Sequence, residues 1–439
     1  MTKIIELDKN PEYIIQKITN NIIHTLGTPQ SLIEYTKQHD DYKTQNVDFT
    51  LASGISGLLS LLSQLKKNDN KWDEYCYQCM IIINEEISQG KVNNLSLWGG
   101  LTGIASAAYL ISDKGRYYSN FITQLNELII ENLPTYLTNA YKNMSEFKTT
   151  NLDFETIYGL SGILRYLLLF RNEPKIMKII KQIIDYLIQQ NKKIEYDGQQ
   201  LPGCFITKNN QLNNDKLNFP GGHLDLGLSH GICGPLAVMS LAIEYGIEQL
   251  GQRETINTIV NELLLWAQED QYGVWWPGKI SLKQYINRTI SETQPSIYGW
   301  CYGTPGVART LWICGRALHN KQYQSIALSA YKAMYKRGIN KLNIGTPTFC
   351  HGISGLLHLT HLMYIESHDT ELLSLKNDLT EELMHYYDSE NLLGFYDITY
   401  DNKKIVSIGA LDGISGILNI LNSISSKECP EWSFLYLSN

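Results

Sequence analysis

Three residues in the second half of the chain, Cys301, Cys350 and His351, are of the types that bind zinc in proteins. Two cysteines and one histidine leave the fourth tetrahedral position open, which is the arrangement of catalytic zinc sites. Soft sulfur ligands also favour Zn²⁺ over Mg²⁺ or Ca²⁺. Their spacing along the chain matches neither a zinc finger nor a zinc ribbon, so the prediction depends on elements that bring them together. The alternative is two buried free thiols and one hydrogen-bonded histidine.

A repeated unit supplies such elements, because the pattern Gly-x-x-Gly followed by an apolar stretch occurs seven times. The copies begin at Gly54, Gly100, Gly159, Gly231, Gly303, Gly352 and Gly413. Each interval can hold one inner helix, a return helix and a loop, which indicates an all-α fold with an inner ring of helices inside an outer ring. An open array would show the same repeat. The closed ring is favoured because neither end of the sequence carries an obviously polar capping unit.

The helix starts are marked most clearly in the fifth copy, where Thr304 and Pro305 are residue types favoured at the N-cap and at the first helical position. Alignment of the repeats places other small hydroxyl residues at the same predicted capping position. They are Ser56, Thr102, Ser161, Ser354 and Ser415. The helices that follow are apolar on nearly every face, which predicts that they are buried on all sides.

Two stretches interrupt the repeat, at about residues 194–226 and 270–298, and they lie in the two longest intervals between glycine pairs. Their Gly, Pro, Asn and aromatic residues predict loops and short strands, and so a small strand-containing extension of the helical fold. The segment 136–154 is expected to be a polar loop. The sequence shows no linker of the kind that separates domains, and residues 1–439 are therefore predicted to form a single domain.

All inner helices of such a ring begin at one end, so the residues just before the glycine pairs should converge there. The residues immediately before the first glycines are Ser53, Gly99, Tyr158, His230, Tyr302, His351 and Asp412. The fourth copy therefore places His230 at this end, the fifth places Cys301 and Tyr302 there, and the sixth places Cys350 and His351 there. A neutral histidine near pH 7 is a good general acid or base, which makes His230 a candidate catalytic residue. Tyr302 by itself is better explained as an aromatic residue at the rim.

The overall composition excludes several classes of protein. A net charge of −7 and a pI near 5.8 argue against nucleic acid as a partner, because nucleic acid requires a basic face. The apolar runs are shorter than the ~20 residues of a membrane span, and the first residues lack the features of a signal peptide. The eight cysteines then indicate reduced thiols or ligands rather than a disulfide framework. A cytoplasmic location is expected.

Three motifs of this sequence resemble those of the lantibiotic cyclases, the lanthionine synthetase C-like family. They are Gly227-Leu-Ser-His-Gly-Ile-Cys-Gly234, Trp300-Cys-Tyr-Gly-Thr-Pro-Gly306 and Cys350-His-Gly-Ile-Ser-Gly355. The resemblance covers essentially the whole chain, since seven glycine pairs are also a hallmark of that family. It implies a double α/α toroid of seven inner and seven outer helices with a small strand-containing extension. It also implies one zinc ion per chain, held by Cys301, Cys350 and His351.

The resemblance further implies an activity, the addition of cysteine thiols to dehydroalanine or dehydrobutyrine to form lanthionine or methyllanthionine thioether rings. His230 is then expected to supply a proton to the α-carbon, with Tyr302 lining the site or assisting. Where the family commonly has an aspartate, four residues before the third glycine pair, this chain has Glu155, with Asp153 as a substitute. Where the family commonly has an arginine, this chain has Ile297, and the sequence does not show what replaces it.

The resemblance implies partners as well: a leader-bearing dehydrated precursor peptide, a separate dehydratase and an export transporter. The sequence has no further segment of dehydratase size, which predicts a stand-alone cyclase, peripheral to the membrane through a biosynthetic complex. Two other interpretations stay open. The chain could be a different zinc enzyme that alkylates thiols on an α/α ring, similar to prenyltransferases or to relatives that join glutathione to dehydro residues. It could also be a non-catalytic scaffold that binds the precursor peptide.

Overall fold

The computed structural model describes residues 10–39, 49–67, 69–290 and 297–439, and most of these residues are helical. In chain order the α-helices are α1 (Pro11–Asn20), α2 (Pro29–Gln38), α3 (Ile55–Leu65), α4 (Lys71–Ser88), α5 (Leu101–Ile111), α6 (Ser119–Ser145), α7 (Leu160–Leu167), α8 (Pro174–Gln190), α9 (Asn213–Asn218), α10 (Cys233–Glu244), α11 (Gln252–Leu265), α12 (Leu282–Asn287), α13 (Thr304–Ala317), α14 (Lys321–Arg337), α15 (Ile353–Ser367), α16 (Thr370–His385) and α17 (Ile414–Ser423). A π-helix covers Asn21–Leu26, and 3₁₀ helices cover Asn151–Asp153, Leu168–Phe170, Lys208–Asn210, Ile339–Lys341 and Glu431–Tyr436. None of the helices in the described ranges is long and apolar enough to cross a bilayer.

Short strands occur mainly in the two predicted insertions. They are β1 (Lys193–Tyr196), β2 (Gln199–Pro202), β3 (Ile206–Thr207), β4 (Gly222–Asp225), β5 (Gln268–Asp270), β6 (Gly273–Trp275), β7 (Lys279–Ser281), β8 (Asp397–Ile398) and β9 (Lys404–Ile405). All pairings are antiparallel: β1 with β2, β5 with β6, β8 with β9, and β4 with both β3 and β7. The β4–β7 pair joins the first insertion to the second. Residues 291–296 of the second insertion lie outside the described residues.

The chain divides into two compact units. The first contains Met1–Asn94, Trp98–Leu125 and Asn343–Trp432, and the second contains Leu95–Leu97, Asn126–Leu342 and Ser433–Asn439. In the first unit, α17 packs against both α15 and α3, and α3 also packs against α5. The helix of the last repeat therefore contacts the helix of the first. That residues 1–439 form one domain stays a prediction.

In the second unit, α10 packs against both α7 and α13, and each of these helices is backed by the helix that follows it, α8, α11 or α14. The end of the chain fills the same core. The Nε atom of the fully buried Arg309 donates to the carbonyl oxygen of Ser438 at 2.7 Å. The indole Nε1 of Trp300 donates to the carbonyl oxygen of Tyr436 at 2.9 Å. These bonds satisfy polar groups that would be costly to bury without a partner.

Main-chain hydrogen bonds connect the loops before successive repeat helices in the first unit. We call the seven loops that precede the repeat helices the pre-helix loops, and in both units together they are residues 50–54, 94–100, 151–159, 225–231, 297–303, 346–352 and 407–413. The N–H of Cys350 donates to the carbonyl of Leu411 at 3.0 Å. Leu411 donates to Ala52 at 3.0 Å, and Ala52 donates to Trp98 at 3.1 Å. The pre-helix loops of the sixth, seventh, first and second repeats are thus joined in that order.

The second unit joins its pre-helix loops in the same way. The N–H of Thr156 donates to the carbonyl of Ser229 at 2.9 Å, and the N–H of Leu228 donates to the carbonyl of Cys301 at 2.9 Å. The third, fourth and fifth repeats therefore bring the residues before their glycine pairs next to each other. Within each unit, the convergence that the repeat predicts is present.

The predicted N-caps are wrong, because the capping residues lie inside the helices. The N-cap of α13 is Gly303, at φ +84°, a conformation that favours glycine, and Thr304 and Pro305 are the first two helical residues. The corresponding N-caps elsewhere are Gly54, Gly100, Gly159, Gly352 and Gly413. The serine hydroxyls instead donate to the carbonyl seven residues earlier, at 2.5–2.6 Å in Ser56, Ser161, Ser354 and Ser415. Each such bond closes its own pre-helix loop.

The expected polar loop at 136–154 is also wrong in its first half, because α6 continues to Ser145. Pro134 lies inside this helix, although proline usually ends or kinks a helix. Leu133, Leu137 and Ala140 are buried at helical spacing on both sides of the proline. Their burial outweighs the local preference for a helix end.

Gly416 in the first turn of α17 provides a test of the close packing around the repeat glycines. A Cβ atom added there would lie 2.3 Å from the carbonyl oxygen of Ala410 and 3.0 Å from the Cβ of Phe349. We expect Gly416→Ala to lower the free energy of unfolding by about 1–3 kcal/mol, the usual cost of overpacking. Urea unfolding followed by circular dichroism measures the change. Gly345→Ala is the control, since its added Cβ meets no atom within 4 Å, and equal stability of the two variants would contradict the prediction.

Candidate metal and acid–base sites

The side chains of Cys350, His351 and Asp412 come together in the first unit. One ligand atom from each, the Sγ, an imidazole nitrogen and a carboxylate oxygen, lie within 4.8 Å of one another. Thiolate, imidazole and carboxylate are the side-chain groups that bind zinc in proteins. All three residues are half-buried, so the group is open to solvent and yet partly shielded from it. This arrangement can hold a divalent metal ion.

The repeat explains why these residues meet. His351 and Asp412 each stand immediately before the first glycine of a repeat, and the sequence separates them by 61 residues. The hydrogen bond from the Cys350 N–H to the Leu411 carbonyl joins the two pre-helix loops at the residues next to them. Equivalent positions of two repeats therefore present their side chains to the same place.

Charged neighbours act on this group. The hydrogen bond with Cys350 raises the pKa of His351 to about 9, against a smaller opposing effect of burial. Burial raises the pKa of Asp412 to about 7, and the nearby carboxylate of Asp397 adds to that shift. Asp397 itself accepts hydrogen bonds from two threonine hydroxyls, each at 3.0 Å. Metal binding would release protons from such a group, because metal ligands bind in their deprotonated forms.

A second pair of predicted residues meets in the second unit, where the Nδ1 atom of His230 lies 2.6 Å from the Oε2 atom of Glu155. Glu155 is fully buried. Its carboxylate also accepts hydrogen bonds from the backbone N–H groups of Ile157 at 3.0 Å, of Gly159 at 2.8 Å, and of Tyr158. These donors satisfy the buried carboxylate oxygens. The His230 side chain is 33% exposed, so it is anchored on one side and accessible on the other.

Opposing effects set the pKa of His230. Burial lowers it, but the hydrogen bond and charge of Glu155, together with the charge of Asp225, outweigh burial, and the net shift is upward from 6.5. A raised pKa in the folded state means that the His230–Glu155 pair stabilises the fold fully below the unfolded value of about 6.5. That contribution is lost as the pH rises through the folded pKa. A histidine of this kind is available near neutral pH as a proton donor.

Replacing Glu155 by glutamine should lower the pKa of His230. The amide keeps the shape of the side chain, but it removes the negative charge that offsets the effect of burial on the imidazole. Titration of the His230 imidazole by NMR measures the shift. The matched control is Asp153→Asn, two residues away, whose carboxylate accepts hydrogen bonds from Thr150 and Asn143 instead. The same pKa for His230 in both variants and in the wild type would show that Glu155 does not act on the ring.

Tyr302 lies beside His230, with 6.2 Å between the two ring centroids, and its hydroxyl donates to the Oδ2 atom of Asp225 at 2.9 Å. The Nζ atom of Lys279 lies 3.7 Å from that same oxygen and 5.5 Å from the centroid of the Tyr302 ring. Asp215 pairs with Lys279 from another side at 2.7 Å. Burial and then the charge of Asp225 hold the pKa of Tyr302 well above its ordinary value. The phenol therefore stays protonated and cannot act as a base.

The remaining predicted residues are placed as follows. Cys301 is buried in the second unit, next to Tyr302, whereas Cys350 and His351 belong to the first unit. A metal site that combines Cys301 with the other two stays a prediction. Asp153, the substitute for Glu155, accepts hydrogen bonds within its own turn, and Glu155 alone contacts His230.

Sequence reasoning missed Asp225 and Lys279, and it gave Asp412 no role although the repeat places it with His351. Asp412 had a visible signal, because it stands at the same repeat position as His351. Asp225 and Lys279 are directly opposite each other in the β4–β7 pair. Both strands belong to the insertions, so no repeat position predicts this pairing.

Comparison with known proteins identifies the class of this one. The sequence profile of the lanthionine synthetase C-like proteins matches residues 45–437, and the chain belongs to this family. Among curated proteins, the nisin biosynthesis protein NisC of Lactococcus lactis subsp. lactis is 26% identical over 395 residues, which cover 86% of each chain. Among solved structures, a nisin cyclase is similar, with a TM-score of 0.76 and 23% identity over 95% of this chain and 98% of that one.

Family membership confirms the resemblance found in the three motifs. The helical structure and the match to nisin cyclase confirm the predicted fold class, an all-α toroid with a small strand-containing extension. The predicted class of enzyme, a lanthionine-forming cyclase, is confirmed with the family. The cofactor, the substrate and the roles of individual residues are separate questions.

Proposed function

We propose that this chain is a zinc-dependent peptide cyclase that adds cysteine thiols to dehydroalanine or dehydrobutyrine residues of a dehydrated precursor peptide. The products are lanthionine and methyllanthionine thioether rings. The observation that carries the proposal is the grouping of Cys350, His351 and Asp412 in a chain of the lanthionine synthetase C-like family. In this proposal residues 1–439 act as one cyclase domain.

One zinc ion per chain is assigned to Cys301, Cys350 and His351. The donor set fits zinc, because thiolates and imidazole are its usual ligands, and Cys350 and His351 belong to the group that can hold a metal ion. A zinc ion in this place supplies positive charge that stabilises the deprotonated form of a substrate thiol. The chain's own residues then account for the movement of protons.

Ring closure forms one carbon–sulfur bond and moves one proton. The substrate thiol loses its proton, and its sulfur attacks the β-carbon of the dehydro residue. The electron pair of the carbon–carbon double bond moves toward the carbonyl and gives an enolate. A proton must then reach the α-carbon. The sum of these steps adds S–H across the double bond and leaves the mass of the peptide unchanged.

His230 is the donor of that proton in the proposed mechanism. Its imidazole is oriented by the hydrogen bond to Glu155, and a general acid in such a position contributes a factor of about 10²–10⁴ to the rate. Tyr302 lines the site beside His230. The ammonium group of Lys279 lies 5.5 Å from the Tyr302 ring centroid, and the carboxylates of Asp215 and Asp225 balance its charge.

The proposal carries three partners with it. A leader-bearing precursor peptide is the substrate, a separate dehydratase forms the dehydro residues from serine and threonine, and a transporter exports the product. Because the transporter is a membrane protein, we place this chain in the cytoplasm and, within such a complex, at the periphery of the membrane. Copurification of the chain with these proteins from the cell that makes them tests this part.

The activity is tested with a leader-bearing peptide that contains one cysteine and one dehydroalanine. The purified protein and zinc are added, samples are treated with N-ethylmaleimide, and mass spectrometry counts the thiols that remain. Ring formation consumes the thiol without a change in mass, so we expect the alkylated form to disappear faster than in a reaction without protein. A zinc-loaded protein that binds the peptide and leaves every thiol free would refute the cyclase activity.

A further inference from the structure

We infer that Asp412 is a further protein ligand of the metal ion, a carboxylate supplied by the seventh repeat. The inference rests on the proposed zinc function and extends it, because Cys301, Cys350 and His351 alone leave one position of a tetrahedral site open. Asp412 closes that position in the absence of substrate. A substrate thiol would take the place of the carboxylate.

The distances support direct coordination. The ligand atoms of Cys350, His351 and Asp412 lie within 4.8 Å of one another. Zinc bonds of about 2.0–2.3 Å place tetrahedral ligands ~3.3–3.8 Å apart. Small side-chain rotations are therefore enough to bring the three atoms into contact with one ion. The repeat also supports the assignment, since Asp412 and His351 occupy the same position before their glycine pairs.

The surroundings of the carboxylate indicate a cation as its partner. Among the residues that the structure describes, no N–H or O–H group donates a hydrogen bond to the carboxylate of Asp412. The neighbouring Asp397 differs, because hydroxyls of Thr346 and Thr348 donate to it at 3.0 Å each. Partial burial of a carboxylate to which no protein group donates costs part of its hydration energy. A metal ion next to Cys350 and His351 removes that cost, whereas Asp397 needs no such partner.

The backbone holds Asp412 in place for this role. The carbonyl of Leu411, the residue before it, accepts hydrogen bonds from the N–H groups of Phe349 and Cys350, each at 3.0 Å. The N–H of Leu411 donates to the carbonyl of Ala52 at 3.0 Å. Little ordering of the chain is left to be done when the ion binds. Carboxylate is also a harder ligand than thiolate, which makes it the ligand that a substrate thiol replaces most readily on zinc.

Metal affinity and the spectrum of the bound metal test the assignment independently of activity. Zinc is titrated into the full-length protein against a chromophoric chelator, and Co²⁺ is bound in its place for absorption spectroscopy. We expect Asp412→Asn to weaken zinc binding by about tenfold or more, since even residues that only orient ligands are worth about 10–100-fold. The visible bands of the Co²⁺ protein should also change, because one ligand is lost.

The matched control is Asp397→Asn, which removes a negative charge close to the same group without removing a ligand. Its zinc affinity should fall less than that of Asp412→Asn, and its Co²⁺ spectrum should be unchanged, because no ligand is lost. Asp412→Glu keeps the carboxylate and should bind zinc more tightly than Asp412→Asn. The comparison of Asp412→Glu with Asp412→Asn keeps the test decisive if asparagine at this position destabilises the pre-helix loop.

The outcomes separate this inference from the proposed function. Wild-type affinity and an unchanged Co²⁺ spectrum in Asp412→Asn, with metal lost in Cys350→Ala, would overturn the role of Asp412 and leave the zinc cyclase standing. Equal losses in Asp412→Asn and Asp397→Asn would assign the effect to charge rather than coordination and would also overturn it. A wild-type protein that binds no zinc would overturn both.

Discussion

Cys350→Ala is expected to abolish ring formation and zinc binding together. The thiol belongs to the group that can hold the metal, and alanine offers no ligand in its place. A metal ion supplies several kcal/mol of stabilisation to a reaction of this kind. A loss of ~4 kcal/mol corresponds to about a thousandfold lower rate at 1.36 kcal/mol for each factor of ten. The rate of thiol consumption and the zinc content by elemental analysis measure the two effects.

The fold should survive this substitution. Cys350 lies in a pre-helix loop, and the hydrogen bond that anchors it uses its backbone N–H, which alanine keeps. Far-UV circular dichroism should therefore match that of the wild type. Cys429→Ala is the control, because it removes an exposed thiol and should leave zinc and activity intact. Complete ring formation by Cys350→Ala would refute the metal mechanism, and a metal-free wild type would favour the peptide-binding scaffold.

His230→Phe is expected to have the second large effect, a slower or misdirected ring closure with zinc retained. Phenylalanine keeps an aromatic ring next to Tyr302 but carries no proton that it can transfer. The loss of a general acid lowers the rate by about 10²–10⁴-fold. Thiol consumption measures the rate, fragmentation of the product by mass spectrometry locates the thioether, and elemental analysis gives the zinc content.

The His230→Phe variant should stay folded although the buried carboxylate of Glu155 loses its histidine partner. Glu155 keeps three backbone N–H donors when the imidazole is removed, so it is not left unsatisfied. His385→Phe is the control, since it removes an imidazole that lies 3.4 Å from Glu382 on an exposed part of α16. Unchanged turnover in His230→Phe would remove His230 from the acid role. Loss of zinc in that variant would indicate a structural effect instead.

The features that the sequence predicts well are those that repeat. Seven glycine pairs predict seven buried helices, and the residues before them predict which side chains meet, as His351 and Asp412 do. The same alignment misplaces the N-caps by one or two residues. Spacing between repeats is independent of where each helix begins, and Ser56 and its equivalents bind a carbonyl seven residues earlier rather than the helix end.

The features that sequence reasoning misses depend on contacts without a repeat. The polar composition of residues 136–154 predicts a loop, but buried side chains such as Leu137 extend α6 beyond Pro134. The pairing of Asp225 with Lys279 depends on the register of two short strands from different insertions. Neither strand is long enough for its alternation to fix that register.

The bonds that join the pre-helix loops have a consequence for how this fold can change its chemistry. They run between backbone atoms, as from Cys350 to Leu411 and from Leu228 to Cys301, and every residue type except proline carries both of the groups they need. The residues before the glycine pairs are accordingly diverse in this one chain, including serine, glycine, tyrosine, histidine and aspartate. Single substitutions at these seven positions can therefore introduce new reactive groups, while the backbone hydrogen bonds that orient them are kept.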